Sequence, residues 1–129
     1  MKLFIIPLVA LSLTGCATIT KIETTKAPSL ARIYQLRSSY DAAFLAPAAN
    51  YRRLGICVPP AKPTMSAPCA SRSLVLKLQT VDQKAQHALD DLETFSRAHP
   101  GDLGAQGLYD AASLVIKEAE GIVTTNNLK

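Results

Sequence analysis

Apolar positions recur along most of the chain at alternating steps of three and four, the spacing that collects side chains on one face of an α-helix. In the first such stretch the positions are Leu30, Ile33, Arg37, Tyr40, Phe44, Pro47, Tyr51 and Leu54, with Ser29 placed as N-cap and Gly55 as stop. Pro47 sits inside the stripe. It lacks an N–H and its ring collides with the preceding turn, which predicts a kink or a break between Ala43 and Pro47. A second stretch runs through Leu74, Leu78, Val81, Ala85, Ala88, Leu92 and Phe95, with Ser73 as N-cap and Pro100-Gly101 as the stop. A third, through Leu108, Ala112, Val115, Ala119 and Ile122, ends between Gly121 and Thr125, and Gly101, Gly104 and Gly107 blur its start. None of these helices would hold its shape alone. Joined by short connections, they predict an all-α fold, a small antiparallel three-helix bundle over residues 29–125, with residues 126–129 frayed.

The N-terminus follows another pattern. Met1-Lys2 precedes an apolar run from Leu3 to Leu13, broken only by Pro7 and Ser12 and much shorter than the roughly 20 residues a membrane-spanning helix needs. A cation, a short apolar run and then small residues are the marks of a secretory signal peptide, here over residues 1–15. Leu13-Thr14-Gly15-Cys16 resembles the lipobox of bacterial lipoproteins. That resemblance implies alkylation of the Cys16 thiol with diacylglycerol, cleavage between Gly15 and Cys16, and acylation of the new amino group, with palmitate as the expected kind of chain. At about 0.8 kcal/mol per buried methylene, such chains fasten a protein to a membrane without spanning it. Ala17, where an Asp would mark retention in the inner membrane, implies the periplasmic face of the outer membrane. Residues 16–28 are rich in Thr and suit a flexible tether of about 20 Å. Ile19 and Ile22 alternate with polar residues as in a short strand, but a lone strand has nothing to pair with.

With Cys16 taken for lipid, Cys57 and Cys69 are left as an even pair in an exported chain, where a disulfide between them is expected. The bridge would clamp Val58 to Pro68, VPPAKPTMSAP, a segment holding four prolines. A zinc site is the competing reading, and it lacks the further ligands it would need. At 129 residues, 48% apolar and 19% charged, the chain has room for one small domain and is neither disordered throughout nor a multi-pass membrane protein. The charge, +4 in all, is unevenly shared. Residues 16–77 carry nine Lys or Arg against Glu23 and Asp41, whereas residues 78–129 carry four against eight acidic residues. Opposite signs on neighbouring helices favour their docking. With no base-stacking motif and an export signal, the basic half does not read as a nucleic-acid binder. Arg52-Arg53, Lys21 and Lys26 could face anionic headgroups or cell-wall polymers, or simply form a solvated surface.

Candidate chemistry is sparse. His87 and His99 lie twelve residues apart on one predicted helix, and His87 with Asp90 or Asp91 reads as a surface ion pair. There is no nucleophile elbow, phosphate-cradling loop or His-Glu-x-x-His helix. Tyr34, Tyr40, Tyr51 and Tyr109 read as core or boundary residues. No catalytic, cofactor-binding or metal site is expected, and the chain does not read as an enzyme. The layout of residues 34–92, helix, NYRRLGICVPPAKPTMSAPC, helix, is similar to small lipoproteins of proteobacteria and their phages, which implies no particular activity. The expected role is therefore that of a structural or adaptor module in the cell envelope, held to membrane lipid through Cys16 and contacting a protein partner. Two alternatives stand beside it. One is a phage lysis lipoprotein resembling outer-membrane spanin subunits; the other is attachment to peptidoglycan through Lys129, the terminal residue type of the major murein lipoprotein.

Overall fold

The computed structural model describes residues 26–64 and 68–128. Helix α1, Leu30–Tyr40, starts where Ser29 accepts the Arg32 N–H on its Oγ at 3.3 Å. It passes through a single π-helical turn, Asp41–Leu45, into α2, Ala46–Arg52. The disturbance expected near Pro47 thus takes the form of a widened turn and not a break. Pro47 has no N–H to offer the previous turn, and the Ala46 N–H reaches back to the Asp41 carbonyl instead. The wider turn takes in one extra residue, so the buried stripe moves from Ile33, Tyr40 and Phe44 onto Ala48, and Pro47 is only partly covered.

Helix α3, Arg72–Ala98, has Ser71 as its N-cap residue, two residues ahead of the expected Ser73. Ser73 lies inside the first turn, its Oγ 2.9 Å from that of Ser71. The buried face includes the expected Leu78, Val81, Ala85 and Leu92, but takes Leu89 and Ser96 in place of Ala88 and Phe95. A straight helix of 3.6 residues per turn drifts about 20° per heptad against a strict seven-residue repeat, which accounts for the slip over this length. The stop is as read: His99 closes the helix and Gly101, at φ +82°, takes the left-handed turn that favours glycine.

Helix α4, Gly104–Thr125, opens on Asp102, whose Oδ1 accepts the Gly104 N–H at 2.7 Å. A Cβ at Gly104 would stand 3.1 Å from Cζ of Phe95, so this glycine allows α3 and α4 to approach closely beside their connection. Ala105, Ala112, Ile116, Ala119, Ile122 and Val123 are buried. Residues 126–128, expected to fray, form a defined stop. Asn127, at φ 50°, lets its N–H reach the Thr124 carbonyl and the Leu128 N–H reach that of Val123, which folds Leu128 back onto the core.

Contacts fix the arrangement of the three arms. Moving up the first arm, Tyr34 meets Glu93, Arg37 meets Asp90, Tyr40 meets Asp82 and Tyr51 meets Ser71, so α1 and α2 run antiparallel to α3. The five-residue connection after α3 turns α4 back against it. Arg32 over the Tyr109 ring, 4.6 Å from its centroid, ties the start of α1 to the start of α4. The core is one apolar cluster drawn from all three arms, with Ile33, Tyr40, Phe44, Leu78, Leu89 and Leu92 as its largest fully buried side chains.

Candidate functional site

Two of the residues singled out by the sequence, Gly15 and Cys16, lie outside the described residues. Cys57 and Cys69 are joined, with S–S 2.01 Å and Cα–Cα 5.0 Å. The neck of their loop has a second fastening. Ala70 donates its N–H to the Gly55 carbonyl at 2.8 Å and accepts the Cys57 N–H at 3.0 Å, and its side chain is buried. Tyr51 adds a third, accepting the Ser71 N–H on its hydroxyl at 2.7 Å. The loop is thus fixed at once to the end of α2 and the start of α3.

The remaining candidates have structural occupations. Tyr40 is buried, stacked on Phe44 with ring centroids 5.3 Å apart, and donates its hydroxyl to Asp82 Oδ1 at 2.6 Å. Burial, and then the Asp82 carboxylate, push its phenol well above the ordinary range, so it stays protonated as the donor. Asp82 also meets Arg52 at 3.7 Å. Tyr34 donates to Glu93 at 3.2 Å and receives a hydrogen bond from Arg97. Arg37 pairs with Asp90 at 2.6 Å and Glu93 at 3.5 Å, while Arg97 reaches Glu93 at 2.8 Å, one turn back along α3. Hydrogen bonding from Arg97, with Tyr34 beside it, holds the Glu93 carboxyl below the usual carboxylate range and the Arg97 guanidinium correspondingly high. Asp90 therefore answers Arg37 and not His87, which stands exposed on α3. His99 packs against Phe95, with ring centroids 4.8 Å apart and the planes tilted by 41°. The basic first arm and the acids of α3 from Asp82 to Glu93 are joined by these pairs, in keeping with the opposite charges of the two halves of the sequence.

What the geometry assembles, and the sequence did not show, is a concave surface at the disulfide-clamped end. Two adjoining clefts of about 730 and 490 Å³ share Tyr51, Pro63, Asn126 and Leu128. The larger also has Leu54, Pro68 and Cys69 in its wall; the smaller has Ser71, Ser73, Leu74 and Lys77. Among the described residues, no Asp or Glu lines either one. From Arg53 to Val81 the chain has no acidic residue at all, and Arg53, Lys62, Arg72 and Lys77 in that stretch are all exposed. The Arg52-Arg53 pair divides here: Arg52 turns to Asp82, while Arg53 faces solvent. Asn126 and Leu128 reach this surface from the far end of the sequence. The one signal that could have found them was an apolar residue directly after the helix-stopping Asn126-Asn127.

The opposite end receives the incoming chain. Ala27, Pro28 and Ser29 pack beside Arg97, His99, Gly101 and Ala105 around a smaller hollow of about 400 Å³. With α3 at 27 residues and 1.5 Å per residue, the clamped end stands about 40 Å from this point. Among the described residues no group of three His, Cys, Asp or Glu is placed to hold a metal ion, and no helix is long and apolar enough to cross a membrane. Comparison with protein-family models, with curated protein sequences and with solved structures gives no match to this chain.

Proposed function

We propose that this chain is a lipid-anchored cell-envelope protein that acts by contact, as a structural or adaptor module, and not by catalysis. The observation that carries the reading is the tetrad Leu13-Thr14-Gly15-Cys16 directly after the cation and short apolar run of residues 2–12. The folded body supports it. Ala27, Pro28 and Ser29, on the path a tether from Cys16 would take, pack at one end of the bundle, and the disulfide-clamped loop with its open clefts lies at the other. Acyl chains on Cys16 would hold the first end at the periplasmic face of the outer membrane and present the second to the periplasm.

The histidines and tyrosines are occupied in capping, stacking and packing or stand apart on open surface, which favours contact over chemistry. A Cys16→Ser variant tests the reading by fractionation. It is expected to move from the membrane pellet to the soluble periplasmic fraction while the wild type pellets and is released only by detergent. Wild-type protein found soluble without detergent contradicts the proposal.

A further inference from the structure

We infer that the clamped end is a docking surface for an anionic polymer of the cell wall, recognised through its carboxylates. This deepens the envelope reading and rests on it for bringing the polymer within reach. Arg53, Lys62, Arg72 and Lys77 supply four exposed cations with no salt bridge to any described residue, in a stretch of chain without a single acid. Lys77 lines the smaller cleft, Lys62 adjoins Pro63 in both, and Arg72 lies between two of the cleft-lining serines. A cleft free of acids concentrates the field of such a rim on whatever enters it. Within it, the paired hydroxyls of Ser71 and Ser73 retain one proton to donate outward, which suits carboxylate oxygens. Tyr51, Pro63 and Leu128 provide apolar walls for the body of a chain carrying those carboxylates.

Placement favours a polymer over the anchoring membrane itself. The cations on α3, Lys77 and Arg72, stand about 30–40 Å beyond the point where the tether joins. Toward the tethered end Asp90, Asp91, Glu93, Asp102 and Asp110 stand among Lys26, Arg32, Arg37 and Arg97, so the described charges there nearly cancel and offer an anionic lipid surface no comparable patch. The unbalanced positive surface is the end turned away from the tether.

The test uses the full-length protein in detergent, cosedimented with isolated murein sacculi. The variants are the quadruple Arg53→Ser, Lys62→Ser, Arg72→Ser, Lys77→Ser and a control pair, Lys84→Ser with Lys117→Ser, on the acid-bearing sides of the bundle. Helical content and melting are compared by circular dichroism, so loss of fold is seen separately. The expected result is salt-sensitive pelleting of wild type and control, a loss of about tenfold or more in apparent affinity for the quadruple variant, and a similar loss when the sacculus carboxylates are converted to amides. Equal binding by the folded quadruple variant overturns the inference. So does a wild type that ignores sacculi, or one that binds only vesicles of phosphatidylglycerol. If the quadruple variant unfolds, the amidated sacculi alone decide, since they leave the protein unchanged. The mass of the same purified protein reports acylation independently, so failure of the docking surface and failure of the lipid anchor give different results.

Discussion

Tyr40 shows how much a single side chain can decide in a core this small. Its ring fills the space between the first arm and α3, and its hydroxyl satisfies a carboxylate drawn partly inward from the surface. Tyr40→Phe keeps the ring and withdraws the proton donated to Asp82, leaving that carboxylate to Arg52 at 3.7 Å. The expected loss is about 1–2 kcal/mol in urea unfolding, against little change for an exposed control such as Thr94→Ala. Glu93 belongs to a more open network, and its effect is legible in pH. Its carboxyl titrates lower in the folded chain than the ordinary 4.5, so the stabilisation it brings is complete above that value and fades as pH falls through the folded value. The difference in melting temperature between wild type and Glu93→Gln is therefore expected to be present at neutral pH and to narrow as pH drops below about 4.5. A difference that persists unchanged to pH 2 would show that packing, and not charge, is responsible.

Among the elements, the helices were legible because amphipathic periodicity is a local signal, and the misreadings occurred where geometry accumulates along the chain. Ile33, Leu78 and Ala112 fall where the spacing puts them, but the π turn ahead of Pro47 moves the buried position to Ala48, and drift along α3 replaces Ala88 and Phe95 by Leu89 and Ser96. Ser73 directly precedes the apolar stripe, but the helix begins earlier because Tyr51 and the Gly55–Ala70 pairing already fix Ser71 and Ala70. The cationic clefts could not be read at all, since they join a proline-rich loop, a helix start and a chain terminus that are distant in sequence. Glycines in α4 give a paired test of the packing. Gly107 has nothing within 4 Å of an added Cβ, so Gly107→Ala is expected to stabilise by about 0.5–1 kcal/mol through helix propensity. Gly104→Ala must push against Phe95 at 3.1 Å and is expected to gain less or to destabilise. Thermal melts of the two variants check the order; a larger gain at Gly104 would mean that the helices are not in close contact there.

For the whole molecule, the disulfide and the polarity of charge act together. Closing the loop between Cys57 and Cys69, with a sequence separation of 12, is worth about 3 kcal/mol on the chain-entropy model, a large share of the stability of so small a body. Reduction, or Cys57→Ser with Cys69→Ser, is expected to lower unfolding free energy by about that amount in denaturant titrations, with less loss to the extent that the Gly55–Ala70 pairing keeps the neck closed. The bridge keeps the proline-rich loop standing beside Leu128 and Asn126, and with it the walls of the clefts. On the proposed reading, anchor, bundle and clamped end would form a sequence of parts: attachment at one end, a helical spacer of about 40 Å, and a positively charged contact surface at the other.

The first of those parts supports the rest, and its chemistry leaves a direct trace. Mass spectrometry of the N-terminal peptide from protein extracted out of membranes with detergent is expected to find a chain that begins at Cys16 and carries a diacylglycerol thioether together with an amide-linked acyl group. A free thiol on Cys16, or a chain still beginning at Met1, would contradict the account.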